Sequence, residues 1–114
     1  MARGPKDVVL ALSWIRDAMM YGRFTLSKHF SESLAEDSID MKDVHHAIAN
    51  AYGLREYTKN DPMDGGSCWR VFGPNLSGDH DLAIGVEAYP DDENPSVWLV
   101  TVFFSHRRRE EDEN

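Results

Sequence analysis

Apolar residues in the first half of the chain recur every three or four positions, the spacing of one face of an α-helix. The first stripe predicts an amphipathic helix from about Lys6 to Tyr21, with Gly22 as its stop. Its members are Val8, Val9, Leu12, Ile15 and Met19. Charged residues interrupt the apolar run, so we expect neither a secretory leader nor a membrane span.

Two further helices are predicted from N-capping residues that precede apolar stripes. Ser27 is a favourable N-cap for a second helix, which turns Leu26, Phe30 and Leu34 toward the core. Asp40 can cap a third helix, which ends near Gly53. The members of its stripe are Met41, Val44, Ile48 and Ala51. Three helices therefore fill the first half of the chain.

The second half changes to strand-like runs separated by stretches rich in Gly, Pro, Asn and Asp. Four strands are predicted, at about Leu54 to Thr58, Cys68 to Phe72, Leu82 to Ala88 and Val97 to Phe104. The short gaps between the last three strands allow hairpin connections. The predicted fold class is therefore α+β, with the N-terminal helices packed on one face of an antiparallel sheet of about four strands.

Strand alternation predicts which side chains lie under the helices, because successive residues of a strand face opposite sides of the sheet. The residues assigned to the core are Trp69, Val71, Leu82, Ile84, Val86, Trp98, Val100, Val102 and Phe104. The opposite, open face then carries Arg70, Glu87 and Thr101 beside the small residues Ala83 and Gly85.

Two interpretations of the open face stay possible. Arg70 could hold a phosphate or carboxylate while Glu87 acts as a base, because a guanidinium matches the geometry of such anions. Alternatively, Arg70 and Glu87 form an ordinary cross-strand ion pair on a solvated face.

Length and charge limit the classes of function. The 114 residues fit one domain, predicted over residues 1–104 and followed by a charged, disordered tail at 105–114. The net charge of −8 disfavours binding to duplex DNA, which depends on phosphate neutralisation. Cys68 is the one cysteine, so no internal disulfide can form and a cytoplasmic location is expected.

The stretch "FTLSKHFSESLAEDSIDMKDVHHAI", followed by "WRVFG" and "WLVTVFF", resembles a bacterial domain-of-unknown-function family. That family pairs a helical H-x-x-x-R-x-x-x-R-G-I motif with a short sheet ending in a V-T-V-like strand. It is grouped with RelE-type and BrnT-type toxins, which are small metal-independent ribonucleases. The resemblance runs from about Phe24 to Phe104 and implies a RelE-like fold.

The motif carries over in part. Its histidine falls on His29 and its isoleucine on Ile39, and the strand arginine and threonine fall on Arg70 and Thr101. The two helical arginines are replaced by Ser33 and Asp37, and the glycine by Ser38. The helix therefore keeps a potential base but loses the cations that would bind phosphate.

A metal-independent ribonuclease needs a base for the 2′-hydroxyl and cations for the transition-state charge. The resemblance implies His29, Arg70 and Thr101 as catalytic residues and RNA as the substrate, with no cofactor and no metal, and strand alternation adds Glu87 as a further catalytic candidate. Lys28 and Arg55 would bind the substrate. His29, Glu32 and Glu36 share a helix face, but no second element offers a ligand, so a metal site is not predicted.

Two function classes follow, and whether the chain is an enzyme stays open between them. The first is a RelE-like, toxin-related endoribonuclease. The second is a non-catalytic module of the same fold, an inhibitor, adaptor or antitoxin-like protein. Its acidic helices would bind a basic protein partner, such as a cognate antitoxin. The resemblance favours the first class, whereas the net charge and the missing arginines favour the second.

Overall fold

The computed structural model describes residues 8–56, 67–89 and 96–105, which form three helices and five strands. The helices are α1 (Val8–Met20), α2 (Lys28–Asp37) and α3 (Met41–Ala49). The strands are β1 (Phe24–Leu26), β2 (Gly53–Glu56), β3 (Ser67–Pro74), β4 (Asp81–Tyr89) and β5 (Ser96–Phe104). The predicted α+β class is confirmed.

The strands form one mixed sheet in the order β1-β5-β4-β3-β2. Strands β2 to β5 pair in antiparallel fashion, as predicted. The expected number of about four strands was too low, because β1 adds a fifth strand parallel to β5. At three residues, β1 is too short to show the two-residue periodicity by which strands are recognised.

Both predicted N-caps are confirmed. The Ser27 Oγ atom accepts a hydrogen bond from the Phe30 amide at 3.0 Å and donates one to the Val100 carbonyl at 2.9 Å, so it also ties the start of α2 to β5. Asp40 and Asp43 form a reciprocal capping box at the start of α3. A second oxygen of Asp43 accepts a hydrogen bond from the Leu76 amide at 2.9 Å, which links α3 to the β3–β4 turn.

All three helices pack on one face of the sheet. Phe30, Val44 and Ile48 are buried there as predicted, and Trp69 is buried beneath them. Along α1, Ile15 and Met19 are buried but Val9 is 79% exposed, so assigning Val9 to the stripe was wrong. The sheet residues of this core are Trp69, Val71, Leu82, Ile84, Val86, Ala88, Val97, Leu99 and Val102.

A β-bulge changes which residues of β5 face the core. Val86 pairs with Leu99 and Gly85 pairs with Thr101, so Val100 is an extra residue with no partner of its own on β4. One extra residue reverses the alternation of the strand. Val102 therefore lies in the core as predicted, whereas the core assignments of Trp98 and Val100 were wrong: Val97 and Leu99 occupy the core instead.

The predicted tail at 105–114 lies outside the described residues, apart from Ser105, which follows β5. The same holds for the end of the strand predicted at 54–58, because the description of β2 stops at Glu56.

A close approach of a helix to the sheet occurs at Gly73 of β3. A Cβ atom added there would lie 2.1 Å from the Ala47 carbonyl oxygen and 2.8 Å from the Ala47 carbonyl carbon. Because both atoms belong to the backbone of α3, the clash cannot be relieved by a side-chain rotation. The absence of a side chain at Gly73 therefore sets the distance between α3 and the sheet.

We predict that Gly73→Ala lowers the free energy of unfolding by roughly 1–3 kcal/mol or more, because α3 must move away from β3. Gly53→Ala is a matched control, since its added Cβ would meet only the Phe72 side chain, at 3.6 Å. The control should change stability by less than about 1 kcal/mol. Urea unfolding monitored by circular dichroism gives both values. Equal effects of the two changes would contradict the assigned helix–sheet contact.

Ser38 ends α2 in the left-handed conformation, at φ 54° and ψ 41°. This conformation costs an L-residue roughly 1–2 kcal/mol relative to the right-handed region, whereas glycine adopts it freely. The Ile39 amide donates to the Leu34 carbonyl at 2.9 Å across this cap. The position is one that a helix normally fills with glycine.

We predict that Ser38→Gly raises the free energy of unfolding by about 0.5–1 kcal/mol, once the greater chain entropy of glycine is subtracted. Ser31→Gly makes the same chemical change within α2 and should destabilise the protein by a similar amount. Thermal unfolding of the two variants tests the opposite signs, and a destabilising Ser38→Gly would contradict the assigned cap geometry.

Candidate functional site

The first turn of α2 holds the predicted base, His29, and the predicted substrate-binding residue Lys28. Both side chains are exposed. His29, Ser33 and Asp37 are spaced four residues apart, but Ser33 is buried while the other two are exposed. Within the described part of the chain, His29 makes no hydrogen bond to either of them. The predicted histidine is thus an accessible surface residue on the helical side of the protein.

The open face of the sheet carries the other predicted residues in adjacent rows. The register aligns Arg55, Arg70, Gly85 and Thr101 across β2, β3, β4 and β5. Glu87 lies in the next row, between Cys68 and Trp98. Arg70, Thr101, Arg55 and Glu87 therefore share one face, as the strand alternation predicted for three of them.

Glu87 is 1% exposed, although none of the helices in the described residues packs on this face. Its pairing partners Cys68 and Trp98 flank it, and Cys68 is also buried. A base must reach the proton that it removes, either directly or through one water molecule. The burial of Glu87 thus removes its carboxylate from the surface where a large substrate could contact it.

Each arginine of the open face stacks on an aromatic ring of the next row. The Arg55 Cζ atom lies 5.8 Å from the centre of the Phe72 ring. The Arg70 Cζ atom lies 5.7 Å from the centre of the Phe103 ring. Phe72 and Phe103 both pair with Ala83 of β4, which is buried between them. The rings therefore orient the two guanidinium groups over the open face.

The sheet lies between the two halves of the predicted catalytic site. Lys28 and His29 belong to α2, whose Phe30 packs in the core on the helical side. Arg70 alternates with the core residues Trp69 and Val71, so it projects from the other side. The structure brings Arg70, Thr101, Arg55 and Glu87 onto one face but does not bring His29 or Lys28 to that face.

Acidic side chains follow one another instead along α2 and at the start of α3. We call this group the acidic helical surface; its members are Glu32, Glu36, Asp37 and Asp40, and all are exposed. In the described part of the chain, none of the three α2 carboxylates forms an ion pair. The last turn of α2 contains no basic residue, so Glu36 and Asp37 lie at the negative end of the helix dipole.

The β3–β4 turn contains a strongly perturbed carboxyl group, that of Asp79. Hydrogen bonds from Ser77 at 2.6 Å and from Asn75 at 3.0 Å lower the pKa of Asp79 well below its usual value, and His80 adds to the effect. All of these donors belong to the turn itself. Asp79 therefore stabilises the turn and offers no free acid or base for catalysis.

Among residues 8–56, 67–89 and 96–105, no group of three His, Cys, Asp or Glu side chains is arranged to hold a metal ion. Within the same residues, no helix is long and apolar enough to cross a membrane. Comparison with known proteins found no matching family model, and no curated protein or solved structure with significant similarity. The resemblance to RelE-type and BrnT-type proteins therefore stays a hypothesis based on the motif alone.

Two features of these surfaces could not be found by motif analysis. The pairing of Arg55 with Arg70 depends on the register between β2 and β3, and the turn-rich connection of ten residues between these strands is too long to fix that register from the sequence. The burial of Glu87 depends on side chains from both neighbouring strands. The sequence indicated the arginine pairing only through the basic residue on each strand. It contained no signal for the burial of Glu87.

Proposed function

We propose that the chain is a RelE-like, non-catalytic interaction domain of the cytoplasm, whose acidic helical surface binds a basic protein partner. The observation that carries this proposal is the separation of His29 from Arg70 by the sheet. Metal-independent cleavage of a phosphodiester requires base and cation to contact one reacting group, with the reacting atoms within about 3–3.5 Å. The placement of these two residues favours binding over cleavage.

The charge of the helical layer supports a basic partner. From Lys28 to Asn50 the chain has five carboxylates and two lysines. Repulsion between Glu36, Asp37 and the C-terminal carbonyl groups of α2 costs about 0.3–1 kcal/mol for each carboxylate. A basic partner would remove this repulsion on binding and would be steered toward the surface by the field of the whole protein. The same charge would repel RNA.

We predict that Asp37→Lys weakens binding of a basic partner while it stabilises the free protein. Affinity for a fluorescein-labelled, arginine-rich peptide should fall about tenfold, because an attractive charge becomes a repulsive one. The free energy of unfolding should rise by about 0.5 kcal/mol, because a lysine suits the C-terminus of a helix. Fluorescence anisotropy and thermal unfolding measure the two effects.

Glu56→Lys is the matched control, because it makes the same change of charge at an exposed position of β2, away from the acidic helical surface. If binding depends only on net charge, the two variants will lose affinity equally and the proposed surface is wrong. A loss confined to Asp37→Lys, with affinity that falls as salt is raised, supports the proposal.

A further inference from the structure

The outer side of α1 presents large apolar side chains at both of its ends. Val9 and Met20 are 79% and 73% exposed, and their chain neighbours Leu10 and Tyr21 are also more than half exposed. A surface helix normally turns one apolar stripe to the core and presents polar side chains to water. The core stripe of α1 lies on the opposite side, where Ile15 is fully buried. The exposed apolar residues therefore serve no purpose in packing this helix on the sheet.

The composition of this side of α1 differs from that of the solvated helix α2. The exposed residues of α2 are Lys28, His29, Ser31, Glu32, Ala35, Glu36 and Asp37. All but one of them are polar or charged. The residues described as exposed on α1 are Val9, Leu10, Ser13 and Met20. Methionine and aromatic residues are enriched in protein–protein interfaces, whereas lysine and glutamate are depleted there. The outer side of α1 thus has the composition of a contact surface.

The residues of this surface, which we call the α1 face, are arranged so that two copies match. Its members are Val9, Leu10, Ser13, Arg16, Asp17, Met20 and Tyr21. Its central row has the four-three-four spacing of a helix-pair seam and consists of Val9, Ser13, Arg16 and Met20. This spacing reads the same from either end. In an antiparallel pair of copies, Val9 therefore faces Met20 of the other copy. By the same register, Ser13 faces Arg16.

The middle of the α1 face is polar, which distinguishes between possible occupants. Asp17 is half-buried, and the Arg16 Nε atom donates a hydrogen bond to the Ile48 carbonyl at 3.1 Å. In the antiparallel pair, the Ser13 hydroxyl lies within reach of the Asp17 carboxylate of the other copy and can donate to it. A lipid surface would bury these groups without offering partners, which is unfavourable. We infer that two copies of the chain associate through their α1 faces, packed antiparallel about a two-fold axis.

Electrostatics give this association a characteristic salt dependence. Val8–Met20 contains one arginine and one aspartate, so the contact itself is close to neutral. The whole chains each carry a charge of −8 and repel one another. Salt screens such repulsion beyond about 8 Å at physiological ionic strength but does not weaken apolar contacts. Higher salt should therefore strengthen the dimer, whereas it should weaken binding of a basic partner to the acidic helical surface.

The size of the α1 face limits the expected affinity. A helix of 13 residues is about 20 Å long, and one face of it buries less than the roughly 800 Å² per partner of a standard stable interface. The dimer should therefore be weak, with a dissociation constant on the order of 10 μM to 1 mM. The inference concerns a surface other than the acidic helical surface and does not rest on the proposed function.

The test is sedimentation equilibrium of the full chain at concentrations from about 10 μM to about 1 mM. We expect a transition from monomer to dimer over this range. The transition should move to lower protein concentration when NaCl is raised from about 50 mM to about 500 mM.

Two variants test the assigned pairing. Val9→Glu and Met20→Lys should each weaken the dimer about tenfold or more, because an unpaired charge is buried twice in a two-fold interface. Each new charge suits the helix dipole at its end of α1, so circular dichroism should show an intact fold. Mixed in equal amounts, the two variants should associate again. Antiparallel packing places the new carboxylate of one chain opposite the new ammonium group of the other, while the second contact keeps Val9 against Met20.

Leu76→Lys is the matched control. Leu76 is a large apolar residue that is 55% exposed in the β3–β4 turn, outside the α1 face. The same change of charge there should alter the dissociation constant of the dimer by less than about twofold. Asp37→Lys should likewise leave self-association intact while it weakens binding of the arginine-rich peptide, so failure of the proposed function and failure of this inference are distinguishable.

The inference is overturned if the chain stays monomeric at the highest concentration in high salt. An equal loss of association in Leu76→Lys and Met20→Lys would show that net charge, not the α1 face, controls it. A mixture of Val9→Glu and Met20→Lys that stays monomeric would exclude the antiparallel pairing. Binding of the unaltered protein to uncharged phosphatidylcholine vesicles, abolished by Met20→Lys, would assign the face to a membrane instead of a second copy.

Discussion

Burial of one face of the sheet against three helices is the constraint on which the rest of the structure depends. Trp69 and Val71 must face the helices, so Arg70 between them must face away. Phe30 must face the sheet, so its exposed neighbour His29 belongs to the surface of the helical layer. Apolar packing alone thus assigns the histidine and the arginine of the motif to different sides of the molecule.

This division leaves two surfaces of opposite character. The helical side presents carboxylates that have no ion-pair partner among the described residues, whereas the open face presents two arginines held by aromatic rings. Exposed surface charges such as the α2 carboxylates contribute little to folding, but they influence the rate and specificity of association. Catalysis by His29 and Arg70 together would need the two surfaces to converge.

The sequence predicted the features that depend on local interactions. Ser27 and Asp40 were identifiable as caps because each satisfies amides within its own first turn. Trp69 was identifiable as a core residue because β3 alternates without interruption. The assignment of Trp98 failed at the Val100 bulge, which is stabilised by a hydrogen bond from the distant Ser27. A contact between residues so far apart in the chain cannot be predicted from a local sequence pattern.

The candidate sites were predicted only in part for the same reason. Arg70, Glu87 and Thr101 were placed on one face by alternation, and the register confirms that they share it. The cross-strand pairing of Arg55 with Arg70, the burial of Glu87 and the separation of His29 all depend on contacts between elements far apart in the chain. Motif spacing on a single helix cannot contain that information.

Cleavage of RNA by the purified protein is the measurement that tests the central claim most directly. If the sheet separates His29 from Arg70 functionally as well as spatially, any residual cleavage will be the same for the unaltered protein, His29→Ala and Arg70→Ala across a wide pH range. Loss of a catalytic base or of an oxyanion contact typically slows a reaction ~10²–10³-fold. A loss of that size in both variants, with folding intact, would contradict the account and show that the two residues act on one substrate.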